Sequence, residues 1–196
     1  MRKYLFFYCI ISIGLFAEIC EENYPDKIPL FGDLHVHTAL SLDAATQGTI
    51  NRPDDAYRYG KGESISIQPY KDGIGQRTSK LSQPLDFMSV TDHAELLGEV
   101  NICESPELDG YSNLVCFGYR YFPKLAYFYM NGMASLAKPI SFCGDDRKNC
   151  KEATRTPWQE IIKSAEKHNA PCKFTTFIGY EWTGAKYSGD NLHRNI

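Results

Sequence analysis

His35 and His37 stand one residue apart at the end of a short apolar run, Leu30-Phe31-Gly32-Asp33-Leu34-His35-Val36-His37. Side chains alternate across a β-strand, so residues i and i+2 share a face. Two imidazoles projected together from a strand end make half of a metal site, with Leu34 and Val36 turned to the opposite, packed side. A third imidazole, His93, follows a second apolar run, Leu85-Asp86-Phe87-Met88-Ser89-Val90, through Thr91-Asp92. A carboxylate, Glu181, ends a third run that begins at Lys173. Imidazole and carboxylate together suit Zn, Mn or Fe at sites that keep a position open for water. A lone histidine at a strand end is ordinarily a surface or hydrogen-bonded residue, but the His35/His37 pair with His93 favours ligation. Asp43 reads equally well as a ligand or as a turn residue. His168, near a helix end, reads as a partner of the helix dipole rather than a ligand.

The elements that must position these groups alternate. Arg52 to Gly60 reads as a short helix, with Pro53 at its first position, Asp54 and Asp55 in the first turn and Gly60 as its stop. Ser64–Gln68 and Arg77–Leu81 suggest a hairpin turning at Asp72-Gly73. Ala94 to Val100 predicts a short helix after the second strand. Phe117 to Met130 predicts an aromatic-rich helix whose rings form a packed stripe rather than a ligand-stacking face. Thr156 as cap, Pro157 in the first turn and Gln159 three residues after the cap start another helix. Trp158, Ile161, Ile162 and Ala165 lie on one face of it, and it ends near His168-Asn169. Strands alternating with helices point to parallel βα units, whose functional residues gather at the strands' carboxyl ends. The three imidazoles and the glutamate all fall at such ends.

Bulk properties set the setting. The chain has 196 residues, 23% charged and 43% hydrophobic, which is ordinary for one globular domain and not for a disordered chain. Arg2 and Lys3 precede the uncharged stretch Tyr4–Phe16, which ends near Ala17. This is the pattern of a secretory signal over residues 1–17, with a signal-anchor as the alternative. The stretch is short for a membrane span, which needs about 20 apolar residues. Its removal takes away two positive charges and no negative one from a chain of net charge −3. So acidic a body gives no electrostatic reason to expect nucleic acid as a partner. Cysteines at 20, 103, 116, 143, 150 and 172 follow the signal, an even number that in an exported chain favours disulfides. Proximity pairs Cys103 with Cys116 and Cys143 with Cys150, leaving Cys20 and Cys172 for a third bridge.

His35-Val36-His37-Thr38 with Ser41 and Asp43, then Thr91-Asp92-His93, resemble the opening motifs of the polymerase-and-histidinol-phosphatase (PHP) superfamily. A third block, Gly179-Tyr180-Glu181-Trp182-Thr183-Gly184 followed by Asn191-Leu192-His193-Arg194-Asn195, is similar to the DUF3604 branch, and the likeness spans residues 31–196. It implies that His35 and His37 bind one metal, with Asp43 as a further ligand. It also implies that His93 joins a second metal, Glu181 bridges two ions and His193 completes the set. Asp92 would orient an imidazole or help move a proton, and Arg194 would neutralise a substrate oxyanion. The implied fold is α/β, part of a distorted (βα)7 TIM-like barrel with a disulfide-bearing insertion over about residues 101–150, and Tyr180 and Trp182 would pack that barrel.

The implied activity is that of an exported, periplasmic or secreted metal-dependent hydrolase. It would hold two or three divalent ions and split a small-molecule phosphate ester with metal-activated water. Amide or sulfate-ester hydrolysis is the alternative, as is a non-catalytic metal-binding fragment. The family's later ligands, a His and a further Asp-x-His, do not follow the third block. The chain, with residues 18–196 as its domain, therefore reads as the amino-terminal part of a larger fold whose carboxyl-terminal part would be a partner. No stable membrane span is expected once the signal is removed.

Overall fold

A computed structural model describes residues 27–185 and 190–196. The signal reading over residues 1–17 and the Cys20–Cys172 pairing lie outside the described residues. The chain order is β1 (Gly32–Val36), α1 (Leu42–Thr46), α2 (Pro53–Gly60), β2 (Ile65–Lys71), β3 (Ile74–Ser79), β4 (Phe87–Val90) and α3 (Leu97–Glu104). There follow α4 (Leu114–Tyr121), α5 (Pro123–Ser135), two 3-10 turns, α6 (Lys148–Ala153), α7 (Arg155–His168), β5 (Thr175–Ile178), β6 (Glu181–Ala185) and β7 (Asn191–Asn195).

The three runs that end in candidate ligands pair in parallel in the order β1-β4-β5, with Phe87 opposite both Gly32 and Thr175. Parallel neighbours need crossover connections, and α2 and α7 supply helices that pack on one face of this sheet. Tyr57, Met88, Val90, Ala165 and Phe174 form the buried seam between them. The Tyr57 hydroxyl ties helix to sheet by donating to the Phe177 carbonyl (3.2 Å) and accepting from the Val90 amide (3.2 Å).

The expected barrel does not form. The described residues make three small separate sheets: the parallel trio, the antiparallel pair β2-β3 and the antiparallel pair β6-β7. Closing a barrel needs strands staggered all the way round, and a three-stranded sheet cannot do this. The third run also breaks where one continuous strand is expected. Gly179 passes so close to β4 that a Cβ would meet Ser89 Oγ at 2.7 Å. Tyr180 then exchanges two backbone hydrogen bonds with Ile196, both 2.9 Å, and the chain turns into the β6-β7 hairpin.

The segment 101–150 packs with Leu42, Leu96 and Val100 into a second core that buries Ile102, Tyr119, Met130 and Phe142. It is stapled by Cys103–Cys116 and Cys143–Cys150, as proximity suggests. The aromatic run is two helices rather than one, parted at Phe122-Pro123, because proline starts a helix but cannot continue one. Nor is it a fully packed stripe: Tyr119 and Met130 are buried, while Phe117, Tyr121, Phe122 and Phe128 are exposed. Leu34 likewise faces solvent instead of a packed layer, although Val36 joins the seam. The hairpin turns at Asp72-Gly73 as expected, both with positive φ. Helix α7 begins earlier than Thr156 because α6 runs into it at Thr154, whose hydroxyl donates to the Cys150 carbonyl at 2.9 Å. Among the described residues no helix is long and apolar enough to cross a membrane.

Candidate metal centre

The carboxyl end of β1 delivers both histidines to one point. His35 Nε2 lies 2.9 Å and His37 Nε2 2.6 Å from Glu181 Oε2. His93 Nε2 stands 3.8 Å from the same oxygen, and His193 Nδ1 is in close contact with Glu181 Oε1. Successive rings meet at centroid distances of 4.9 Å (His35–His37), 4.8 Å (His37–His93) and 5.4 Å (His93–His193). Four imidazoles from three separate segments thus surround one carboxylate that is fully shielded from solvent.

Glu181 is placed by backbone pairing on both sides. Its amide donates to the Asp92 carbonyl (3.1 Å) and its carbonyl accepts from the Ala94 amide (3.0 Å), which extends the parallel pairing past β4. On its other side β6 pairs antiparallel with β7, Thr183 opposite His193 and Glu181 opposite Asn195. Period-two alternation then puts Glu181, Thr183, His193 and Asn195 on one face of the hairpin. Asn195 Nδ2 donates to the Leu34 carbonyl at 2.8 Å and fastens that face to β1. Arg194 pairs with Trp182 on the other face, so it is not brought to the imidazoles.

Asp43, on α1, contacts His37 Nδ1 through Oδ2 at 2.8 Å. A carboxylate at Nδ1 favours the tautomer protonated there, with Nε2 facing the shared centre. Asp43 Oδ1 is buried and has no well-formed hydrogen bond. Asp92 is wholly buried and contacts no imidazole. Its carboxylate accepts from the Thr38 amide (2.5 Å) and the Thr38 hydroxyl (2.8 Å), holding the turn that follows His37. It therefore orients the His37 loop through the backbone, and not a ring directly. Residues to which the sequence assigns no role of their own complete the support. Ser41 Oγ accepts from the His93 amide at 3.2 Å, Glu95 Oε1 lies 3.1 Å from His93 Nδ1, and Thr183 Oγ1 lies 2.9 Å from the same nitrogen. Only the position of Glu95, two residues after a candidate ligand, could have flagged it. His168 is remote from the cluster, with Nε2 2.9 Å from Asp54 Oδ1 at the end of α7.

The electrostatics follow from this crowding. Burial disfavours the imidazolium of His37, but Asp43 and Glu181 outweigh it and raise its affinity for a proton. Burial likewise works against His93, which Glu95 and Glu181 raise. Burial would push Asp43 upward, yet His37 and Ser41 hold it well below the usual carboxylate range. Glu181 is also held low, against its burial, by the surrounding histidines. Asp92 goes the other way: burial pushes it up to about 6 in spite of its hydrogen bonds from Thr38.

Three overlapping ligand sets emerge, His35/His37/Glu181, His37/Asp43/His93 and His93/Glu181/His193, each with its ligand atoms within 4.8 Å of one another. Nitrogen and carboxylate donors without thiolate suit Zn, Mn or Fe. The carboxylate of Glu181 shared among four imidazoles fits a cation better than it fits a purely hydrogen-bonded core. A fourth acidic-sulfur group, Glu99 with Cys143 and Cys150, is different, because its two sulfurs are joined to each other.

The family model described as "Protein of unknown function (DUF3604)" matches residues 24–196. The chain belongs to the DUF3604 family. The match takes in every residue of the cluster, so the centre lies within the region that defines this DUF3604 protein. No curated protein and no solved structure matches the chain.

Proposed function

We propose that this DUF3604 protein is an exported metal-dependent hydrolase of PHP kinship, acting on a small-molecule phosphate ester. The observation that carries the reading is the convergence of His35, His37, His93 and His193 on the carboxylate of Glu181. Those five residues with Asp43 would hold two or three divalent ions. Bound there, the ions would activate water and neutralise charge on the departing ester oxygen. The chain's own residues do the remaining work. Asp43 keeps His37 Nε2 directed at the centre, and Asp92 holds the Thr38 turn so that His37 cannot swing away. Glu181, shielded from water, offers one oxygen to His35 and His37 and the other to His193. The two disulfides support an oxidising compartment, periplasmic or extracellular.

Metal analysis of the purified chain tests the first half of the proposal, and hydrolysis of phosphate, sulfate and amide substrates with and without chelator tests the second. Chelator-sensitive phosphatase activity is the expected result. Metal bound without turnover on any of these substrates would leave a binding protein, and no metal at all would end the proposal.

A further inference from the structure

Glu95 occupies a place in this centre that a ligand could not. Its Oε1 lies 3.1 Å from His93 Nδ1, the ring nitrogen opposite the one that faces Glu181. Imidazole offers one nitrogen to a metal only if the other carries its proton, and a carboxylate behind the ring settles which is which. Thr183 Oγ1, 2.9 Å from the same nitrogen, is the hydrogen-bond partner at that position, and the Glu95 carboxylate stands beside it at ion-pair distance. We propose that Glu95 is the positioning residue of His93: it holds the proton on Nδ1 and so presents Nε2 to the metal centre.

The insertion anchors the backbone that carries this carboxylate. Arg147 Nη2 donates to the Glu95 carbonyl at 3.0 Å and to the buried Glu99 carboxylate at 2.7 Å, pinning the approach to α3 from outside. Arg147 itself lies in the loop closed by Cys143–Cys150. A disulfide-bearing segment remote in sequence from the ligands thereby fixes the residue that orients one of them.

The inference rests on the reading of His93 as a ligand, and its test separates the two. Long-range proton–nitrogen NMR of the full chain with labelled histidine, metal-free and above the imidazole titration range, reads the His93 tautomer directly. Titration with Zn alone reads affinity. Wild type should hold the proton on Nδ1. Glu95→Ala should scramble the tautomer and weaken Zn by about 10–100-fold. Glu95→Gln, whose amide oxygen can still accept, should restore the tautomer and most of the affinity, and the tautomer is the readout that a merely structural role would not move. An unaltered tautomer in a folded Glu95→Ala chain overturns the inference, and so does failure of Glu95→Gln to restore it. If Glu95 governs the tautomer but Zn does not bind even to wild type, the positioning role stands and the metal reading falls.

Discussion

Glu181 Oε2 lies 2.6 Å from His37 Nε2 although 144 residues separate them in the chain. The contact joins the end of the first strand to the start of the last hairpin, and it brings a shielded carboxylate against a nitrogen whose ring is fixed by Asp43. A cation bound there would bind the folded chain and not the unfolded one. Zn or Mn should therefore raise the thermal unfolding temperature of wild type, by a stability of roughly 2.7 kcal/mol at a hundred times the dissociation constant. Glu181→Gln should abolish most of that rise while remaining folded, read by circular dichroism with and without metal. An equal rise in the variant would remove Glu181 from the ligand set.

Asp92 makes a prediction about stability that needs no metal. Its carboxylate accepts from both the amide and the hydroxyl of Thr38, deep in the fold. Asp92→Ala leaves two buried donors without partners, at a cost of about 1–3 kcal/mol each before relaxation. Denaturant unfolding without metal should show that loss. Thr38→Val, which keeps the amide bond to Asp92 but deletes the hydroxyl's bond to Asp92 and the 3.3 Å bond it accepts from the Leu40 amide, should also lose stability. Equal stability of Asp92→Ala and wild type would mean that the turn after His37 is held by something else.

His35, His37, His93 and Glu181 were legible as candidate ligands because each ends an apolar run, and a strand end is where period-two alternation stops. Parallel pairing of β1, β4 and β5 then brings those ends to one side. The barrel was not legible in the same way. Repeating βα units suggest closure, but nothing in the run from Lys173 announces that Gly179 must press against Ser89 and turn the chain into a hairpin. The same turn explains Arg194: adjacent to His193 in sequence, it is carried to the opposite face by strand alternation. Glu95 was hidden for another reason. An acid just before a helix reads as a helix-dipole partner, and only the fold brings it behind the ring of His93.

Glu99 gives the pH dependence. Burial raises its carboxyl above the ordinary value of 4.5, and Arg147, the opposing influence, does not fully compensate. The folded chain thus binds this proton more tightly than the unfolded chain. Between 4.5 and the raised value the native state carries the extra proton, so this group's contribution to stability falls as pH rises through that window. Glu99→Gln removes the titration. The difference in unfolding free energy between variant and wild type should shift in the variant's favour as pH is raised from 4.5 towards neutrality. A difference that stays flat with pH would show that the fold does not raise the Glu99 carboxyl.

The Cys143–Cys150 disulfide closes a short loop, with a sequence separation of 7. A loop of this length limits the entropy the bridge removes from the unfolded chain, so the double variant Cys143→Ser/Cys150→Ser should lose roughly 2.5 kcal/mol. The loop also carries Arg147, which holds Glu99 and the Glu95 backbone. Arg147→Ala, with the bridge intact, should leave Glu99 buried without its cation and cost about 1–3 kcal/mol of its own. Because both changes free the same contacts, their effects should not add: the triple variant should lose less than the two measured separately. Strict additivity in denaturant unfolding would show that the bridge and the arginine act on different parts of the fold.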